Sequence, residues 1–461
     1  MAKERTKDLT TGSPLRVMLN FMIPIFLGQL LQQAYTTVDT MVVGHFVGSN
    51  ALGGVGAANA LCMIVFGACL GLCTGFCIPL SNAFGAKNPT LLRQYLVHAV
   101  YLATINTAVL MVVFLTFTEP ILVAMDTPTE NFHYAVDYLS VYFLGLPFLV
   151  LYNLAAGIIR AMGDSKTPLY FLLIASGCNI LLDLLFVAGL RWEVTGAAWA
   201  TAISQGLSGI LCLFYMIKKF PIIHVTRPEM KWNGRHALHM LANGVPLALQ
   251  YCITAIGTMA MQVAINGLGA VYVNSIALSN KIDHLLNTTF NSIGPTISTF
   301  VGQNTGARKP ERIKSGIRNG MLFTLIFSGI YILLVVFFSP QMVRLFLDSA
   351  DETLPQIIEL VSQKLIITGC FSVLIGAVIT HRFAMQGMGY SKLAIISGVL
   401  EMIARLLVAF LLVPAVGYLG VCLAGPAAWI LATSFVAPMS YVCLGKLRKK
   451  FAQMPPLAES K

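Results

Sequence analysis

Charge is what this chain has least of. Only 11% of its 461 residues are Asp, Glu, Lys or Arg, where an ordinary soluble domain carries about 25%. The stretches 101–118 and 321–341 contain none at all. At 1.5 Å of rise per residue, about 20 such residues cross a hydrocarbon core about 30 Å thick. With a mean hydropathy of +0.77, a soluble domain is excluded. The apolar runs are continuous and do not alternate with polar positions, which disfavours a β-barrel. There is no Gly-x-x-x-x-Gly-Lys-Ser/Thr segment, so an ATP-driven pump is disfavoured. No His-Glu-x-x-His and no aspartate-rich loop is present, and a membrane-embedded enzyme would need such a cluster at an interface. Residues 1–16 are polar and basic and lead into a long helix, which is expected to stay as an anchor.

All ten cysteines lie in apolar segments, so no disulfide framework is expected. Cys69, Cys73 and Cys77 share one helix face. A soft-metal ladder is the sharper reading of that spacing; small polarizable residues filling a helix contact is the preferred one.

What the chain does have is an internal repeat. Asn82-Ala83-Phe84-Gly85-Ala86-Lys87-Asn88-Pro89 returns 221 positions later as Gln303-Asn304-Thr305-Gly306-Ala307-Arg308-Lys309-Pro310. Residues 48–59 reappear at the same offset as 269–280, and Met162-Gly163-Asp164-Ser165-Lys166 answers to Met388-Gly389-Tyr390-Ser391-Lys392. Secondary transporters are commonly built from two such apolar copies. The pattern predicts an all-α polytopic membrane protein with twelve transmembrane helices, near 16–42, 50–80, 95–118, 132–159, 168–190, 194–217, 238–266, 272–301, 319–340, 357–386, 393–413 and 418–444. Six spans per half make the repeat parallel. The expected organisation is an N-tail to residue 13, an N-lobe over 14–219, a linker over 220–235, a C-lobe over 236–446 and a C-tail. Residues 454–461 read as disordered.

The formal charge of +11 is distributed for a membrane and not for nucleic acid. Of the 30 Lys and Arg, 25 fall in segments on the N-terminal side of the membrane, Arg382 and Lys392 counted among them. The positive-inside rule then puts both termini in the cytoplasm, with Ser315 inside and Asp126 and Asp351 in external loops. The excess charge faces the anionic inner leaflet, so membrane lipids are the expected partners.

The few ionizable residues within the spans are the functional candidates. In span 1, Gln32, Tyr35, Thr36 and Asp39 form a polar stripe fifteen residues beyond Pro24, which removes a backbone hydrogen bond and permits a bend. Span 5 carries Asn179 and Asp183 one turn apart, and span 6 offers Thr201. No Lys or Arg lies deep in this half. If these helices converge, two carboxylates share a site without a counter-ion, so one must protonate or a cation must bind. Oxygen-only ligands suit a hard cation such as Na⁺. The alternative is that each aspartate caps a helix or bonds within the bundle. The second half instead carries Lys281 and Asp283 in span 8, Lys364 in span 10, and Glu401 with Arg405 in span 11. A four-member network of Lys281, Asp283, Glu401 and Arg405 is expected there, as structural cement more than as transport machinery.

With these residues assembled, the chain resembles the multidrug and toxic compound extrusion (MATE) family, in its prokaryotic DinF-like branch. The resemblance runs from Leu15 to about Lys446. It rests on Pro24, Asp39 and Gly44, on Ile159-Arg160-Ala161-Met162-Gly163-Asp164, on Asn179-x-x-x-Asp183, on residues 196–201, and on Gly85-Ala86-Lys87 with its copy Gly306-Ala307-Arg308. It implies V-shaped packing of two six-helix bundles around a central cavity, and cation-coupled export of amphipathic, often cationic, organic compounds. It also implies a cation site at Asp39, Asn179, Asp183 and Thr201, with Tyr35 and Tyr138 close by. Another branch places an acidic pair in the C-lobe. Here 250–261 holds no Asp or Glu and 372–380 is uncharged, so coupling is expected in the N-lobe.

The expected function is secondary active efflux of drug-like compounds driven by Na⁺ or H⁺, by a monomer in a prokaryotic plasma membrane, with no cofactor beyond the coupling ion. A lipid-linked oligosaccharide flippase of the same superfamily is the alternative. It would call for cationic residues facing a pyrophosphate, and the N-lobe core has none.

Overall fold

The computed structural model describes residues 8–125, 127–346 and 353–455. Asp126, Asp351 and tail residues 456–461 lie outside the described residues. Among the described residues every regular element is helical, as the hydrocarbon demands of a backbone that must satisfy its own hydrogen bonds. In the first half these are α1 (Pro14–Phe46), α2 (Ser49–Gly85), α3 (Pro89–Ala124), α4 (Thr129–Leu144), α5 (Leu146–Ala161), α6 (Lys166–Asp183) and α7 (Glu193–Lys219). In the second they are α8 (Gly234–Asn266), α9 (Ala270–Gly306), α10 (Pro310–Arg344), α11 (Leu354–Gly387), α12 (Ser391–Leu407), α13 (Val413–Val416) and α14 (Tyr418–Ala452).

Ten spans are long and apolar enough to cross a membrane, or eleven if α4 and α5, bent by 46° where they meet, are one span. The twelfth expected span is α9, which has the length but carries Asn280, Lys281, Asp283, His284 and Asn287 in its first half. The chain is a multi-pass membrane protein.

The repeat recurs in the backbone. Gly48 and Gly269 precede α2 and α9 with φ of 113° and 106°, Lys87 and Arg308 follow them at 52° and 54°, and Gly163 and Gly389 take 89° and 86°. Each of the last four closes its helix with a six-residue loop. The N–H of Asn88, Asp164, Lys309 and Tyr390 reaches the carbonyl of Ala83, Ile159, Asn304 and Met385 respectively, satisfying carbonyls the helix leaves open. π-helical turns follow α6 (Leu184–Gly189) and α12 (Val408–Leu412). Such widened turns concentrate where a helix re-aims functional side chains.

The chain forms two compact units. The first takes in Ile23–Ala248; Thr10–Met22 belongs to the second together with everything from Leu249 onward. The first unit is built around fully buried Phe76, Leu80, Phe143 and Leu146. Its helices approach closely at glycines. A Cβ on Gly145, at the α4–α5 bend, would lie 2.8 Å from that of Ala202 on α7, and one on Gly75 would lie 2.3 Å from the Gly244 Cα on α8. The bend at Gly145 is therefore where α7 presses in, next to Thr201. The connection from α7 to α8 is held against α3: Arg93 pairs with Glu229 at 2.7 Å, and the Asn233 N–H donates to His98 Nε2.

In the second unit α11 is the central helix, packed against α9, α10 and α14, with Phe290, Ile297 and Phe300 fully buried between them. The chain's beginning is tied here: Arg312 donates to the carbonyls of Gly12 and Thr11, and the Lys309 ammonium to that of Thr10. That is why the start of α1 groups with the second unit.

Candidate functional site

Within the first unit, α1, α6 and α7 bring their polar stripes together. The Thr201 hydroxyl donates to Asp39 Oδ2 at 3.2 Å. Asp39 and Asp183 face one another across the same site. Asp183 and Asn179 are almost wholly buried. Neither Asp183 oxygen, nor Asp39 Oδ1, nor either polar atom of the Asn179 amide has a hydrogen-bond partner in the protein. Asp183 therefore caps no helix. Two carboxyl groups set against each other are bridged only by something positive, a proton or a cation. Unsatisfied buried oxygens that meet in one place are costly unless such a partner binds. The donor set of carboxylate, amide carbonyl and hydroxyl oxygens suits Na⁺ as well as H⁺.

The stripes continue past the acids. Gln32, Tyr35, Asn153, Ser176, Asn179, Thr201, Ser204, Gln205 and Ser208 line a narrow cavity between α1, α5, α6 and α7. Sequence spacing alone had missed Asn153, Ser176, Ser204, Gln205 and Ser208. The signal was present on α7, where Thr201, Ser204, Gln205 and Ser208 repeat at helical spacing. Thr36 departs from expectation: it is exposed and donates to the Gln32 carbonyl, so it leaves the stripe. Tyr35 is buried in the cavity wall. Tyr138 packs against the buried cluster that contains Val42, Val43 and Ala51, and stacks on Tyr142. Pro24 lies buried within a continuous α1, two residues past the point where the helix passes from one unit to the other.

The second unit is arranged differently, and it corrects the expected four-member network. Lys281 is exposed and belongs to no ion pair. Asp283 accepts from the Tyr331 hydroxyl and pairs with Lys364 at 3.7 Å; the Lys364 ammonium also donates to Asn280 at 2.5 Å. Glu401 is held first by Arg382, which donates to it from α11, and only secondarily by Arg405, 3.7 Å away on its own helix. Arg382 also donates to Ser397 at 2.9 Å. It is a buried residue of α11 and not a loop residue. There are thus two separate clusters, each closed across helices that sequence periodicity does not relate.

All ten cysteines are free thiols. Among the described residues no three His, Cys, Asp or Glu side chains form a metal-binding group. Cys77 fills a helix contact, its sulfur 2.7 Å from where a Cβ on Gly157 would sit.

Two helical units in a membrane, with an unbalanced acid pair buried inside one of them, describe a membrane transporter. The chain belongs to the MatE family, whose model matches residues 24–185 and 246–411. The probable multidrug resistance protein YpnP of Bacillus subtilis is 28% identical, over 75% of this chain and 77% of its own. An FAD transporter of Shewanella oneidensis is 24% identical over 80% and 82%. Among solved structures, an outward-facing multidrug resistance MATE family transporter of the MOP superfamily superposes with a TM-score of 0.90 at 20% identity. It covers 97% of this chain and all of that one, and so shares the fold.

Proposed function

We propose that this protein is a secondary active exporter that moves drug-like organic compounds out of the cytoplasm in exchange for Na⁺ or H⁺. The observation that carries the proposal is the pair Asp39 and Asp183, facing each other with no cationic side chain beside them and with three of their four oxygens unpartnered. The names of the relatives support a small-molecule cargo.

In this reading the cation or proton neutralizes the pair, and that lowers the cost of burying this face of α1. The helix carries Pro24 and can exchange between two shapes, so occupancy of the pair biases which shape is populated. Cargo and cation then alternate in the first unit. One charge moving down 100 mV supplies about 2.3 kcal/mol, enough for roughly a 50-fold gradient of cargo. Both termini lie in the cytoplasm, and the protein works as a monomer in a prokaryotic plasma membrane.

The test is efflux of a fluorescent organic cation from proteoliposomes under separately imposed Na⁺ and pH gradients. Export driven by either gradient supports the proposal. Movement that only ever follows the cargo's own gradient contradicts it.

A further inference from the structure

The arginines of α11 and α12 are in excess over the acid they hold. Arg382 and Arg405 both face Glu401, so the cluster carries two fixed positive charges against one negative. The other charged cluster of this unit is balanced: Lys364 answers Asp283, and Asn280 and Tyr331 complete it. Arg382 donates to Glu401 and to Ser397. Arg405 is held less closely. Its only ion pair spans 3.7 Å, longer than a hydrogen bond. Among the described residues, Arg405 Nη1 is the one buried cationic nitrogen without a hydrogen-bond partner.

Gly257 on α8 faces the Arg405 side chain, the position of a Cβ there being 3.3 Å from the arginine Cδ. Any larger residue would press on the aliphatic part of the arginine. The Arg405 side chain as a whole keeps 15% exposure, while its Nη1 is buried. Other groups facing this cluster are uncharged: Gln386 on α11 and Gln250 on α8, linked to each other at 3.3 Å, and Tyr251 beside Arg382. Structural cement would match one arginine to one glutamate. A second guanidinium within a membrane-spanning bundle, with an N–H left over, needs an anion. The planar fork of arginine fits carboxylate and phosphate oxygens in particular.

We propose that Arg405, supported by Arg382 and Glu401, is an anion subsite of the second unit that takes a carboxylate or phosphate oxygen of the exported compound. This rests on the exporter reading above and adds to its cargo a preference for compounds that carry an anionic oxygen group, zwitterions included. Glu401 holds both arginines in place and keeps the subsite from trapping the anion permanently, since one of the two charges is always answered.

The probe is a rhodamine carboxylic acid, a zwitterion, against its cationic methyl ester. Binding is measured on purified protein in neutral detergent, and export in proteoliposomes of phosphatidylcholine with and without phosphatidylglycerol. Wild type should bind the acid roughly 10- to 100-fold more tightly than the ester, the worth of a hydrogen bond to a charged group. Arg405→Gln should bring that ratio close to one, and Arg405→Lys, which keeps the charge but not the fork, should leave it in between. Equal binding of acid and ester by wild type overturns the subsite whether or not any variant folds. A preference that phosphatidylglycerol abolishes assigns the arginine to lipid headgroups and overturns its assignment to cargo. If wild type exports neither rhodamine under any gradient, the exporter reading fails, and the detergent binding ratio still decides the anion subsite.

Discussion

Asp39 and Asp183 in the first unit, and Asp283 and Glu401 in the second, are four acids on membrane-spanning helices of one repeated frame. The backbone treats the two halves alike, down to matching left-handed residues at Lys87 and Arg308. The side chains do not. In the second unit each acid has a fixed cation, Lys364 for Asp283 and Arg382 with Arg405 for Glu401. In the first the acids have only each other and the Thr201 hydroxyl. A carboxylate with a covalently tethered counter-ion has no need of a mobile one. In the proposed exporter, the pair without a counter-ion takes a proton or a cation from solution and gives it up when the site changes shape. On that proposal the same scaffold separates holding a charge from exchanging one.

The largest effect should come from removing the imbalance. Asp183→Asn should reduce the accumulation ratio of cargo from the roughly 50-fold that one coupled charge sustains at 100 mV to about one. Asp39→Asn combined with Asp183→Asn should be little worse than either alone, because the two residues act as a single site. Additive losses, read from steady-state efflux, would break the pair into two independent sites. Glu401→Gln should act on stability instead. It strands two guanidinium groups, and breaking a buried pair costs roughly 3–5 kcal/mol. The yield of folded protein and its Tm in detergent should fall, with transport per folded molecule affected less. Normal yield with abolished transport would move Glu401 into the coupling machinery.

The smallest effect belongs to an ion pair outside the membrane. Arg93, helped by the Thr226 N–H, holds Glu229 down to a pKa of about 2. Its contribution is fully present above the ordinary value of 4.5 and is lost as pH falls from there toward 2. Glu229→Gln should flatten the Tm-versus-pH curve over that window and leave coupling unchanged. An altered Na⁺ or H⁺ dependence of transport would join the linker to the mechanism.

The helices, their order and their repeat were legible because hydrocarbon imposes one pattern, long apolar runs, on every span. Asp39, Asn179, Asp183 and Thr201 were legible because a polar residue in such a run stands out. What lay beyond reach was pairing across helices. Arg382 lies 19 residues before Glu401, and nothing in helical spacing relates them, so Arg405 at i+4 looked like the natural partner. Lys281, two residues from Asp283 and so on another side of α9, was expected to find a partner on another helix and is exposed instead. The π-helical turn after Asp183, which begins at Leu184, carries no Pro or Gly at its start to announce it.

The contrast between the two units is tested most directly by one comparison in proteoliposomes. Wild type, Asp39→Asn and Glu401→Gln are reconstituted, and export of a fluorescent organic cation is measured per folded molecule under an inward Na⁺ gradient and, separately, an inward H⁺ gradient. Asp39→Asn should show no uphill export under either gradient, while Glu401→Gln retains most of it. Uphill export by Asp39→Asn at the wild-type rate, or its loss in Glu401→Gln alone, would contradict the account.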